Sequence, residues 1–485
     1  MNSFIMKIAL CALPLSYALH ADSPDISNLD NCIEEVRQAD LSPPEVPTFD
    51  QYFVNYKRLI DDLEDSMSSL PYVYQEVAAK PLISYLKNIG EYQYLRIFRY
   101  SNYEGLQQLI SDASLAILFH QEAPVRISAF QEVISDLYDR FICSEKRTGK
   151  ETGLHINPPA YGIIPPLVKF GNAESGPYTW PGDVTSQVLG MGCAIVSLPP
   201  AQLEGGLLAW TALGHETGGH NVTHADENLL QELGEKVNAA IMKKFDSQEL
   251  ADYWTHCIDE SVADVCGYLH MGPSIGIGLV GYFRSFGNGR LSTIGYKEGP
   301  HPIGLLRGYL AAAVAKRLHF EGSSEWSEII ASETSKDNGN LRLVDSDGYR
   351  YSFPVSLEIA IASTEIVAQT ILRSILPSIE NHSLQGIQDW QDRDQNIVEK
   401  FVHAFKTGEQ LPKILAGPGF FAAHVVAAAT QAALENGAQV KEIFGKMQNV
   451  LAEMHLNNPL WAQIPTPESI ELLEQNFEKL KGPVV

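Results

Sequence analysis

The chain reads as mostly α with a small β-sheet, an α+β fold. Three observations carry that reading. Apolar residues recur at i, i+3 and i+4 through residues 50–145 and again from 355 onward, the period of half-buried helices. Between them, residues 151–205 are punctuated by Pro158-Pro159, Pro165-Pro166, Gly176-Pro177 and Pro181-Gly182 and hold a short β-type run. Apolar content of 45% and charged content of 19% over 485 residues describe a globular chain with room for two or three domains.

Residues 1–21 have the plan of a secretory signal peptide. Lys7 precedes the apolar run Ile8 to Leu15, and small residues follow near Ala18 and Ala21. The run is too short to span a membrane, and no later stretch reaches about 18 uninterrupted apolar residues. The expectation is a secreted or periplasmic protein without stable membrane insertion. Residues 22–48, broken by Ser42-Pro43-Pro44 and Pro47, read as a linker or surface-bound extension that opens an N-terminal helical region, 22–150. In that region Phe53, Tyr56, Leu59, Ile60, Leu63 and Met67 mark one amphipathic helix; Leu106, Leu109, Ile110, Ala113 and Ile117 mark another.

A compact core is expected over 151–320. Cys193-Ala-Ile-Val-Ser-Leu198 reads as a short strand, and Leu207 to Leu213, apolar nearly all round, as a buried helix. The C-terminal region, 321–485, starts with a hairpin in which Leu341–Val344 and Tyr349–Phe353 flank Asp345-Ser-Asp-Gly348. Helices follow, one of them Ala-rich at 421–434. Five cysteines remain after residue 21, an odd number and widely spaced, so no dense disulfide framework is expected. Cys32 and Cys143 can tie the ends of the N-terminal region. Cys257 and Cys266 would stand about 13 Å apart on one straight helix, too far to bond, and read as buried small residues.

The chemistry concentrates in His215-Glu216-Thr217-Gly218-Gly219-His220 and, forty residues on, Glu260-Ser261-Val262-Ala263-Asp264. Two neutral imidazoles and a carboxylate are a common ligand set for catalytic Zn2+, with the fourth position left for water. Glu216 would take a proton from that water. The histidines stand five apart, which on a regular helix splays them by roughly 140°. A one-residue bulge of π type restores a common face, and Gly218-Gly219 supplies backbone freedom for it. Alternatively the helix ends at the glycines and His220 reaches back from a loop. With a bulge, His224 falls one turn beyond His220, as a rival third ligand to Glu260, a substrate-facing residue or a supporting residue. Tyr296 and His301, in a loop opening a helix, are candidate catalytic donors to a developing oxyanion.

These motifs resemble the gluzincin zinc peptidases, and the long histidine spacing resembles the variant of the dipeptidyl peptidase III family. That resemblance implies His215, His220 and Glu260 as metal ligands, Glu216 as general base and Asp264 as the carboxylate behind one imidazole. It implies a zincin-like catalytic core between the helical regions, with a strand along the cleft that pairs with substrate backbone; Gly190 to Leu198 is the candidate, an internal sheet strand its alternative. His301-Pro302-Ile303-Gly304-Leu305-Leu306-Arg307 resembles the His-Pro then Arg element of HtpX-like and CAAX-endopeptidase-like families. The likeness covers roughly residues 190–320.

The function expected is zinc-dependent hydrolysis of peptide bonds in a peptide or protein substrate. The alternative is an exported binding or effector protein whose zinc site is structural or vestigial. A net charge of −24 argues against nucleic acid and anionic lipid as partners.

Overall fold

The computed structural model describes residues 24–461 except 53, 123, 140, 142–154, 158, 163, 172–175 and 409–420. Residues 1–21, read as a signal peptide, and Cys143 lie outside the described residues. The structure is 68% helical with two small three-stranded sheets, so the α+β class with a dominant helical share holds. No helix among the described residues is long and apolar enough to cross a membrane.

Both amphipathic stripes of the N-terminal region form helices over their described residues, Tyr56–Met67 and Glu104–Glu122, with Leu59, Ile60 and Leu63 of the first buried; Phe53 lies outside the described residues. The stretch read as an extension does not stay extended. Leu29–Leu41 is a helix that buries Leu29, Cys32, Ile33 and Val36 against helices Leu207–Leu213 and Ser274–Phe286. Its apolar spacing of i, i+3, i+4, i+7 outweighs the acidic residues between, and Ser42-Pro43-Pro44 merely ends it. Cys32 is a free thiol whose Sγ donates to the Ala433 carbonyl at 3.3 Å; Cys193, Cys257 and Cys266 are also free and buried.

In the first sheet the strand order is β1 (Leu167–Phe170), β3 (Ile195–Leu198), β2 (Tyr178–Trp180), with β1 parallel and β2 antiparallel to β3. The strand proposed to line a cleft is therefore β3, the central strand, buried at every residue and paired on both sides. Its hydrogen-bonding capacity is used up within the sheet, and among the described residues the edge strand beside the histidine motif is β2. Asp112 braces this edge by accepting from Tyr178 Oη (2.9 Å), Trp180 Nε1 (2.7 Å) and the buried Lys169 ammonium (3.0 Å). The expected hairpin appears as β5 (Arg342–Val344) and β6 (Arg350–Ser352), with β4 (Ile294–Tyr296) added parallel to β5. Asp345 caps its turn, accepting from the Asp347 and Tyr349 amides.

Two helical segments hold the motifs. Leu207–Leu213 is buried at all seven positions and runs directly into a π-helical segment, Gly214–His220. Helix Ile258–Met271 packs along that segment and is itself almost wholly buried. The approach is close enough to exclude side chains: a Cβ on Gly219 would lie 2.4 Å from Ala263 Cα, and one on Gly267 would lie 3.1 Å from Gly214 C. Gly218 and Gly219 do not have positive φ. Their glycine identity thus answers to helix contact rather than to backbone freedom. Helix Gly304–Ala315 packs against Ile258–Met271 and delivers Arg307.

Candidate metal centre

The surplus residue between the histidines is absorbed by the π turn, and the helix continues through Asn221–Thr223. The helix does not end at the glycines. Both rings consequently lie on one side, their centroids 4.8 Å apart and their planes nearly perpendicular at 86°. Glu260, from the first turn of Ile258–Met271, sits between them. His215 Nε2 is 3.2 Å from Glu260 Oε2, and His220 Nε2 is 3.7 Å from Glu260 Oε1. Ligand atoms of His215, His220 and Glu260 all lie within 4.8 Å of one another.

These separations can be tested against an ion. Zinc bonds of 2.0–2.1 Å in a tetrahedron put ligand atoms about 3.3 Å apart. The two nitrogen–oxygen distances bracket that value. Glu260 Oε2 is buried and has no well-aligned hydrogen-bond partner among the described residues, although His215 Nε2 is so near. Lone pairs that face a common point rather than each other are what a cation site requires. The three residues fit a divalent ion.

The outer nitrogen of each ring is anchored. His215 Nδ1 donates to Asp264 Oδ1 at 2.9 Å, and Arg307 grips Asp264 bidentately, Nε to Oδ2 at 2.8 Å and Nη2 to Oδ1 at 2.7 Å. Arg307 also lies over the Phe283 ring, 4.4 Å from its centroid. Burial works against charge on Asp264, yet Arg307 and His215 hold its carboxyl well below the usual carboxylate range. His220 Nδ1 donates to Asp259 Oδ1 at 3.1 Å, and Thr223 Oγ1 donates to the same oxygen at 3.1 Å. Fixing the outer nitrogen sets the tautomer and leaves Nε2 as the metal-facing atom.

The remaining candidates divide. Glu216 is buried, and its carboxylate Oε2 accepts from Thr179 Oγ1 on β2 at 2.8 Å. His224 does not join the Glu260 cluster; its Nδ1 faces Asp183 Oδ2 and its Nε2 faces Asp259 Oδ2, each at 3.1 Å. His301 brings Nε2 to 3.2 Å from Glu260 Oε1 with its side chain 60% exposed, so it borders the cluster from the solvent side. Tyr296 is 73% exposed on β4 and takes no part in the hydrogen-bonded cluster among the described residues. Thr179, Asp183 and Asp259 were not singled out in the sequence. Asp259 had a usable signal, since it precedes Glu260 at the start of the same helix. Thr179 and Asp183 had none.

The cluster is strongly coupled without a metal. Burial disfavours a charged His215, but Asp264 and Glu260 outweigh it and push the imidazole up to about 10. Glu260, whose charge burial also opposes, is held down to about 2 by its contacts with His215. Protonated His215 therefore stabilises the metal-free fold fully below its ordinary 6.5, and that contribution is lost as pH rises through about 10. A zinc ion bound through His215 would have to displace this proton, so its affinity should rise with pH across the neutral range, with about one proton released per ion. Calorimetric titration of metal-stripped protein in buffers of different ionisation enthalpy measures that release. Zinc uptake with no proton release would remove His215 from the ligand set.

Comparison with protein-family models, curated proteins and solved structures returned no match.

Proposed function

We propose that the protein is an exported zinc-dependent peptidase of gluzincin type, with His215, His220 and Glu260 as the metal ligands and Glu216 as the general base. The observation that carries the reading is the convergence of both Nε2 atoms on Glu260 while each outer ring nitrogen is held by its own carboxylate. When bound, the ion would lower the pKa of a coordinated water and polarise the scissile carbonyl. The chain's own residues supply the rest. Glu216 accepts a proton from the water and returns it to the departing amine. Thr179 fixes one oxygen of that carboxylate and so orients the other. His301, at the exposed margin, is placed to donate to charge developing on the carbonyl oxygen.

The ligand group comprises three residues, and His224, the nearest further imidazole on the same stretch, is engaged by Asp183 and Asp259. This supports a site with a position left for water over one closed by four protein ligands. β2, the edge strand carrying Thr179, is the element suited to pair with an extended substrate. A peptide-library digest by metal-loaded protein, with chelated protein as control, tests the assignment. Metal-dependent cleavage is the expected result, and stoichiometric zinc without cleavage of any peptide would point to the exported binding protein instead.

A further inference from the structure

Both carboxylate partners are held from behind, Asp264 by Arg307 and Asp259 by a longer run of polar side chains. From His220 Nδ1 the contacts run to Asp259, from Asp259 Oδ2 to His224 Nε2, and from His224 Nδ1 to Asp183 Oδ2, each step 3.1 Å. Asp183 belongs to the first turn of helix Gly182–Leu189, which follows directly on β2 and Pro181. The stretch 178–183 thus touches the motif directly at Glu216 through Thr179, and reaches His220 indirectly through His224 and Asp259.

His220, His224 and Asp259 also have the composition of a second cation site. The contacts oppose that use. Both nitrogens of His224 face carboxylate oxygens, which only accept, so a fully bonded His224 donates at both and keeps no lone pair for a metal. His220 has its Nε2 turned to Glu260 and cannot serve a second ion through Nδ1 as a neutral imidazole.

We propose that Asp183 and His224 are positioning residues for the metal centre: they hold the second oxygen of Asp259, and Asp259 in turn sets the His220 ring. The inference rests on His220 being a metal ligand. Such a chain also ties the edge strand to the ligand, so strand and ion keep one relative placement.

The test uses the full chain, stripped and reloaded. Zinc affinity is measured by competition with a chromophoric chelator, and the ligand field by the visible bands of the cobalt(II) form. His224→Ala and Asp183→Asn should each weaken zinc binding about tenfold, in the range for partners behind the ligands, and alter the cobalt bands. The double variant His224→Ala/Asp259→Asn should bind no worse than Asp259→Asn alone, because His224 acts through Asp259. His224→Gln, which keeps a donor toward Asp259, should recover part of the loss. Unchanged affinity and cobalt bands in both single variants would overturn the proposal, as would additive losses in the double variant. A second equivalent of zinc in the wild type that vanishes in His224→Ala would overturn it in favour of an ion site. Wild-type protein that binds no zinc would sink the metal-centre reading itself, a separable result.

Discussion

Replacing Glu216 with Gln should leave zinc content near that of the wild type and cut hydrolysis at least 10²–10⁴-fold, roughly the whole contribution of a positioned base. The substitution keeps the shape and the hydrogen bond from Thr179, since a Gln carbonyl accepts as a carboxylate does. It removes only the capacity to take a proton. Because His215, His220 and Glu260 are untouched, a chelator-competition measurement on the same sample separates loss of base from loss of metal. Turnover within a few-fold of wild type would refute Glu216 as the base.

Gly219→Ala is the second large effect, and its sign is the informative part. An added Cβ would meet Ala263 Cα at 2.4 Å and Ala263 Cβ at 2.6 Å, backbone and a short side chain that cannot swing away. Overpacking of this kind costs about 1–3 kcal/mol. Relief would require the π segment to move off helix Ile258–Met271, which separates the two histidines from Glu260 and weakens metal binding. If the glycine served only backbone freedom, Ala would instead stabilise by about 0.4–1 kcal/mol through the unfolded chain. A denaturant titration of metal-free protein decides between the two. Stabilisation with zinc affinity intact would show that the segment does not depend on this close approach.

The sequence made the heart of the site legible because chemistry imposes spacing. On a continuous helix, histidines five apart face one ion only if a residue is looped out, and the π turn at Gly214–His220 does so. Glu260 and Asp264 are likewise one helical turn apart, and the structure sends one to the imidazoles' inner edges and the other to an outer nitrogen. Arg307 was visible in its His-Pro context, but its grip on Asp264 was not. Thr179 and Asp183 stayed hidden for a physical reason. They are short polar residues brought to the motif by a β-strand and a helix start some forty positions upstream, and nothing local marks them.

One expectation fails for an equally specific reason. Residues 29–41 were judged by their acidic and proline-rich surroundings although Leu29, Cys32, Ile33 and Val36 already formed a helical stripe. For the run Gly190 to Leu198 two readings stand open in the sequence, a cleft strand and an internal sheet strand, and the second holds for Ile195–Leu198. It is buried at every position, and its continuous apolar character is that of a central strand.

The most direct test of the account is the zinc stoichiometry and ligand set of the purified, metal-stripped and reloaded chain, read by elemental analysis together with X-ray absorption at the zinc edge. The account predicts about one zinc per chain, bound by two imidazole nitrogens and a carboxylate oxygen and lost on Glu260→Ala. Absence of bound zinc, or wild-type binding retained in both Glu260→Ala and His215→Ala, would contradict it.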